Sequence, residues 1–94
     1  MRESKIESYL VGRVKANGGE CVKLSWNGRR GAPDRLVMLK GRVLFVELKA
    51  PGGRCSPHQL QEHRRIQAQG IPIEVINSMD GVDGLMRELL NAVT

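Results

Sequence analysis

Asp34 follows Pro33 in the turn Gly31-Ala32-Pro33-Asp34, and Glu47 and Lys49 end the run Val43-Leu44-Phe45-Val46-Glu47-Leu48-Lys49, which sets the two acids thirteen positions apart. The stretch from Arg42 to Lys49 alternates as a strand should. Leu44, Val46 and Leu48 share one face, and Val43, Phe45, Glu47 and Lys49 share the other. Both faces are apolar until the strand's end, the pattern of a central strand covered on both sides. A carboxylate and an ammonium on such a face are costly unless paired or bound to something. Taken alone, Glu47 and Lys49 fit an ion pair at a sheet end. Asp34 adds a second acid directly before the strand-like Arg35-Leu36-Val37-Met38-Leu39, and a hairpin through Lys40-Gly41 would set it beside Glu47.

Two carboxylates held side by side repel, and a hard divalent cation with oxygen ligands relieves the repulsion. Magnesium suits such a place because it takes few protein carboxylates, keeps several waters and accepts substrate phosphate. The chemistry this implies is phosphodiester hydrolysis. Asp34, Glu47 and the main-chain carbonyl of Leu48 would hold the ion, which lowers the pKa of a water, while Lys49 orients that water or offsets charge growing on the phosphate. Arg29, Arg30 and Arg35 flank the same turn. They read either as solvated loop side chains or as phosphate clamps, since arginine can offer phosphate two parallel hydrogen bonds.

The elements that must position these groups follow the order αβββαβα. A first helix over Glu3 to Ala16 carries Ile6, Leu10 and Val14 at helical spacing, and Asn17-Gly18-Gly19 ends it. A first strand is predicted over Glu20 to Trp26, then the hairpin of Arg35 to Leu39 and Arg42 to Leu48. Ser56 caps a helix with Pro57 in its first position, and Gly70 stops it. Ile71 to Ile76 reads as a fourth strand and the stretch from Asp80 as a last helix, held through Val82, Leu85, Met86, Leu89 and Leu90. The right-handed crossover rule closes the fourth strand into the same sheet, giving an α/β fold with a central mixed sheet flanked by helices.

Glu3 and Glu7 fall within the apolar arc of the first helix, the wrong face for a solvated carboxylate. Stabilisation of the helix dipole accounts for Glu3 better than for Glu7, which lies beyond the first turn. Glu7 is therefore the favoured third metal-side carboxylate and Glu3 its alternative. Ser56-Pro57-His58-Gln59 has the form of a capping box, an account of Gln59 that needs no function. His63, one turn later, could point the same way as Gln59, although a lone histidine on a mixed helix face is more often a structural residue. Trp26, the sole tryptophan, is expected in the core or at a dimer contact rather than as a base-stacking platform.

A chain of 94 residues is expected to form one domain, over residues 1–94, with a small core that oligomerisation would support. Lys and Arg number 15 against 10 Asp and Glu, a formal charge of +5, and the excess gathers in segments such as Asn27-Gly28-Arg29-Arg30. That balance favours an anionic partner such as nucleic acid over solubility alone. Cys21 and Cys55 follow no secretory signal, which points to a reducing cytoplasm. No apolar stretch approaches the ~20 residues that span a bilayer, so no membrane association is expected.

The acidic first helix, Gly18-Gly19, Gly31-Ala32-Pro33-Asp34-Arg35, Phe45-Val46-Glu47-Leu48-Lys49 and Ser56-Pro57-His58-Gln59, in this order, resemble the PD-(D/E)XK nuclease superfamily. Within it they resemble the VRR-NUC family, particularly its small stand-alone members of phage type. The Glu-x-Lys triplet alone is common by chance; the ordered set is more specific. The resemblance implies one acidic ligand from the first helix and a glutamine at the place of Gln59 that faces the catalytic residues. It further implies a magnesium-dependent deoxyribonuclease, with manganese able to substitute, that leaves 5′-phosphate ends. The expected substrate is branched DNA such as four-way (Holliday) junctions, cut by a homodimer in the cytoplasm of a bacterial or phage-infected host cell. The alternatives are a DNA-binding module without catalysis, a flap or general nuclease, and a protein-interaction domain without metal.

Overall fold

The computed structural model describes residues 1–91. They form α1 (Glu3–Ala16), β1 (Glu20–Lys23), β2 (Arg35–Leu39), β3 (Arg42–Leu48), α2 (Pro57–Ala68), β4 (Ile73–Ile76) and α3 (Met79–Asn91). The order is the one expected from sequence, and three boundaries move. β1 stops at Lys23, short of Trp26, because Lys23 pairs with Arg35, the first residue of β2, and beyond it only Leu24 reaches a partner, the Asp34 carbonyl at 3.1 Å. β4 starts at Ile73 rather than Ile71, since Pro72 brings no N–H to a ladder. α3 begins at Met79 because Ser78 caps it, its Oγ accepting from the Gly81 N–H at 2.9 Å.

The four strands lie in the order β1-β2-β3-β4. The first two pairings are antiparallel and β3 pairs with β4 in parallel. Leu39 pairs with Arg42, leaving Lys40 and Gly41 as a two-residue turn with φ of 51° and 79°. Positive φ at both central residues is the type I′ geometry that matches strand twist, so the turn fixes the β2–β3 register.

One face of the sheet carries the main core. Val37, Leu39, Leu44, Val46 and Leu48 pack there with Ile6, Leu10 and Val14 of α1 and Val82, Met86 and Leu89 of α3. α1 and α3 are joined at their rim by Asp83, which accepts from the Tyr9 hydroxyl at 2.6 Å and from Arg13 Nη1 at 2.7 Å. α2 lies on the opposite face and covers only the end of β3 that bears Glu47; Val43, farther along the same face, is 45% exposed. The double coverage expected from the run of apolar residues is thus local to the acidic end.

Gly31 fixes the turn before β2 against that helix. Its φ is +88°, and a Cβ there would lie 2.5 Å from the His58 carbonyl oxygen and 2.9 Å from the Gln59 nitrogen. Gly28 has a similar φ, +77°, but open space around it. Gly28→Ala is therefore expected to cost about 1 kcal/mol of backbone strain, and Gly31→Ala at least about 2 kcal/mol more, because backbone atoms must move. Urea unfolding of the two variants measures this; equal losses would contradict the packing account.

Candidate active site

Extending the β2–β3 register one step past Arg35↔Val46 sets Asp34 directly opposite Glu47, on the face covered by α2. Glu47 is buried, at 1% exposure. Its Oε2 accepts from Gln59 Nε2 at 3.0 Å and lies 3.6 Å from Lys49 Nζ, two residues along the same strand face. Its Oε1 is 3.7 Å from His63 Nε2, and these two buried atoms have no hydrogen-bond partner. Burial, and then the charge of Asp34, push the Glu47 carboxyl up from 4.5 to about 7, with Lys49 pulling it down. The same burial, with Lys49 adding to it, lowers His63 below its usual range, which keeps the imidazole neutral at physiological pH.

Asp34 is held by its neighbour's backbone. Its Oδ2 accepts from the Leu48 N–H at 2.7 Å, replacing the ladder acceptor that β2 no longer supplies. Phe45 and Lys49 donate across to the β4 side, to the Pro72 and Ile76 carbonyls, so the Leu48 backbone turns the other way, toward Asp34. Gln59 meets both sequence readings at once. Its Oε1 accepts from the Ser56 N–H at 2.8 Å and its backbone N–H donates to Ser56 Oγ at 3.1 Å, completing the capping box, while its amide nitrogen serves Glu47. The capping bond fixes which way the amide points.

Of the other expected site residues, Glu7, Arg29 and Arg35 are engaged elsewhere. Glu7 does not join Asp34 and Glu47. Arg35 shares its sheet face with its cross-strand partner Val46, and its Nε binds Glu7 Oε2 at 2.8 Å while Nη1 donates to the Cys21 carbonyl at 3.1 Å. The apolar arc of α1 that carries Glu7 thus faces the side of the sheet opposite Glu47. Glu3 is exposed, and the Arg35 guanidinium is engaged by Glu7 and by the Cys21 carbonyl. Arg29 lies over the Trp26 ring at 4.8 Å and pairs with Glu62, and Arg30 is exposed. Trp26 is half-buried and lies outside the core cluster.

His63 lies against Glu47, as its spacing from Gln59 allowed, whereas Glu62, which the sequence reading passed over, is buried next to it on the same helix face. The signal was present: Gln59, Glu62, His63 and Ile66 recur at i, i+3, i+4, i+7, the inward stripe of a helix, and three of the four are polar.

A mixed sheet with Asp34 and the Glu47/Lys49 pair at one end, closed by a glutamine from the following helix, is the arrangement of a PD-(D/E)XK-type nuclease fold. The VRR-NUC domain family model matches residues 14–80, a span that holds Asp34, Glu47, Lys49 and Gln59 but neither Glu3 nor Glu7. "Putative nuclease p44" of Acyrthosiphon pisum secondary endosymbiont phage 1 is 48% identical over 81 residues, covering 85% of this chain and 87% of its own length. A solved structure described as a VRR_NUC domain matches with a TM-score of 0.84 at 41% identity, over 90% of this chain and 94% of that one. The chain belongs to the VRR-NUC family of nuclease domains. Among the described residues, no helix is long and apolar enough to cross a membrane.

A raised carboxyl pKa has a sign in stability. The fold favours protonated Glu47, so that contribution is fully present below about pH 4.5 and is lost as pH rises to about 7. Its ceiling is on the order of 3 kcal/mol. Without divalent metal, Glu47→Gln should match wild type in urea unfolding at low pH and exceed its stability above pH 7. A stability gap that widens on acidification would contradict the buried-carboxylate account.

Proposed function

We propose that this chain is a divalent-metal-dependent endodeoxyribonuclease whose site is Asp34, Glu47, Lys49 and Gln59. The observation that carries the reading is the buried Glu47 Oε1, without a hydrogen-bond partner, beside a second carboxylate. Such an arrangement fits a hard cation, which removes the repulsion and satisfies the orphaned oxygen. Among the described residues, no group of three or more His, Cys, Asp and Glu side chains could hold a metal ion. Two carboxylates with the Leu48 carbonyl leave the remaining positions to water and phosphate, a set suited to Mg²⁺ or Mn²⁺. When bound, the ion supplies Lewis-acid polarisation of the phosphodiester and activation of water.

The chain's own groups do the rest. Lys49 Nζ, fixed beside Glu47, donates to a phosphate oxygen as negative charge grows or orients the attacking water. Gln59 locks the Glu47 rotamer, and the Leu48 N–H locks Asp34. Arg30, exposed on the turn before Asp34, contacts the phosphate backbone. Glu7 supports the site through Arg35, which begins β2 next to Asp34, rather than as a ligand. The products carry 5′-phosphates. The substrate class is branched DNA, including four-way junctions, cut by a two-fold homodimer that offers two sites from one surface patch. Supporting that assembly are the length of 94 residues and the exposed Val22, Val43, Leu60 and Val75. The phage source of p44 supports action inside an infected cell.

Nicking of supercoiled plasmid tests the reading. EDTA should stop it and Mg²⁺ or Mn²⁺ restore it, and Glu47→Ala and Lys49→Ala should each lower turnover at least ~100-fold with the fold retained. Glu7→Gln should lose far less than Glu47→Ala. Wild-type turnover in the Glu47 or Lys49 variant would overturn the site. A panel of flaps, forks and four-way junctions, run with light scattering, tests substrate and assembly; a monomer that cuts all of them equally would make this a general nuclease.

A further inference from the structure

Beyond the phosphodiester site, the face covered by α2 holds a pocket of about 490 Å³. Its floor and wall are Phe45, Ile66, Ile71 and Trp26, and its polar rim includes Arg29 and Arg65. The two arginines are not loose surface charges. Glu62, buried to 3% side-chain exposure, lies 2.7 Å from Arg29 Nε through Oε1 and 2.8 Å from Arg65 Nη1 through Oε2. Oε1 has ionic contact without an aligned N–H, so it remains without a hydrogen-bond partner. Arg29 also lies over Trp26 at 4.8 Å. A carboxylate withdrawn from water to anchor two guanidiniums, each about half exposed (51% and 52%), leaves a net positive, pre-oriented rim around an apolar slot.

We propose that this pocket receives an unstacked nucleobase of the substrate strand, with Arg29 and Arg65 holding an adjoining phosphate and Glu62 acting as their positioning residue. The inference rests on the nuclease reading of the neighbouring site. Phe45 and Glu47 are alternate residues on one face of β3, about 7 Å apart along the strand. A nucleotide whose phosphate lies at Glu47 can therefore place its base on Phe45. The aromatic and aliphatic lining accepts the face of any base, and cations at the rim complement the backbone that carries it. Bases at flaps and fork ends are unpaired, and pairs flanking a four-way branch lose a stacking neighbour, so drawing a base out there costs less than within a continuous duplex.

Trp26, the sole tryptophan of the chain, reports on the pocket directly. The probe is a short oligothymidylate added to the full-length Glu47→Gln protein, compared with an oligonucleotide of equal length and phosphate count made of abasic sugars. Oligothymidylate should quench Trp26 and bind about tenfold or more tighter than the abasic strand, which should leave the emission unchanged. Glu62→Gln separates positioning from charge. It raises the net positive charge, so charge alone predicts tighter binding, whereas release of the two arginines from the rim should weaken oligothymidylate binding several-fold. Arg65→Ala, at a half-exposed side chain, should weaken it likewise and guards against a folding defect in the Glu62 variant. Equal affinity for the two strands with unchanged emission would overturn the proposal. So would an emission that follows protein concentration and not oligonucleotide, which would make the pocket a contact between copies of the chain. The readout needs no cleavage, so failure of the nuclease reading would appear separately, as absence of plasmid nicking by wild type.

Discussion

The structure turns on the placement of one carboxylate, Glu47, out of water and beside a second one. Both effects work against ionisation, and the single nearby ammonium of Lys49 does not cancel them. The surrounding elements hold the group in place rather than relieve it. β3 is an interior strand and cannot swing its end away; the I′ turn fixes Asp34 opposite; Gly31 lets the preceding turn rest on α2; and α2 brings Gln59 and His63 onto the carboxylate. The cost of that arrangement falls on the stability of the fold. The main core on the other face, shared by α1 and α3, supplies the rigidity that keeps the pair together.

The two faces of the sheet therefore divide the labour. One is dry and aliphatic. The other is covered by a single helix whose inward stripe is mostly polar, and there the carboxylate pair and the Glu62-anchored arginines lie side by side. A helix with Gln59, Glu62 and His63 facing inward would be a poor packing element alone. It is tolerable because two of the three face a complementary group, Gln59 with Glu47 and Glu62 with Arg29 and Arg65, while His63 lies against Glu47 with its Nε2 unpartnered.

Much of this was legible in the sequence. Alternation placed Glu47 and Lys49 on one strand face, and the Lys40-Gly41 turn set the register that brings Asp34 opposite. Ser56-Pro57 marked the start of α2. What the sequence could not show was partnership. The helical arc correctly turned Glu7 inward, but periodicity cannot say which face of a sheet a helix covers, and α1 covers the face where Arg35 waits. Charge likewise marks Arg29 and Arg35 as basic without showing that buried or half-buried carboxylates already hold them. The ends of β1 and β4 depended on neighbouring strands rather than on local propensity. The polar stripe of α2 was readable at helical spacing and would have drawn in Glu62 beside Gln59 and His63.

The central claim is that Asp34 and Glu47 together form a divalent-cation site. Isothermal titration of Mg²⁺ into wild-type protein and Glu47→Gln at neutral pH tests it most directly, without substrate or turnover. The account predicts saturable heat in wild type and its loss in the variant, with the fold intact by circular dichroism. Identical titrations for the two proteins, whether both bind or neither does, would contradict it.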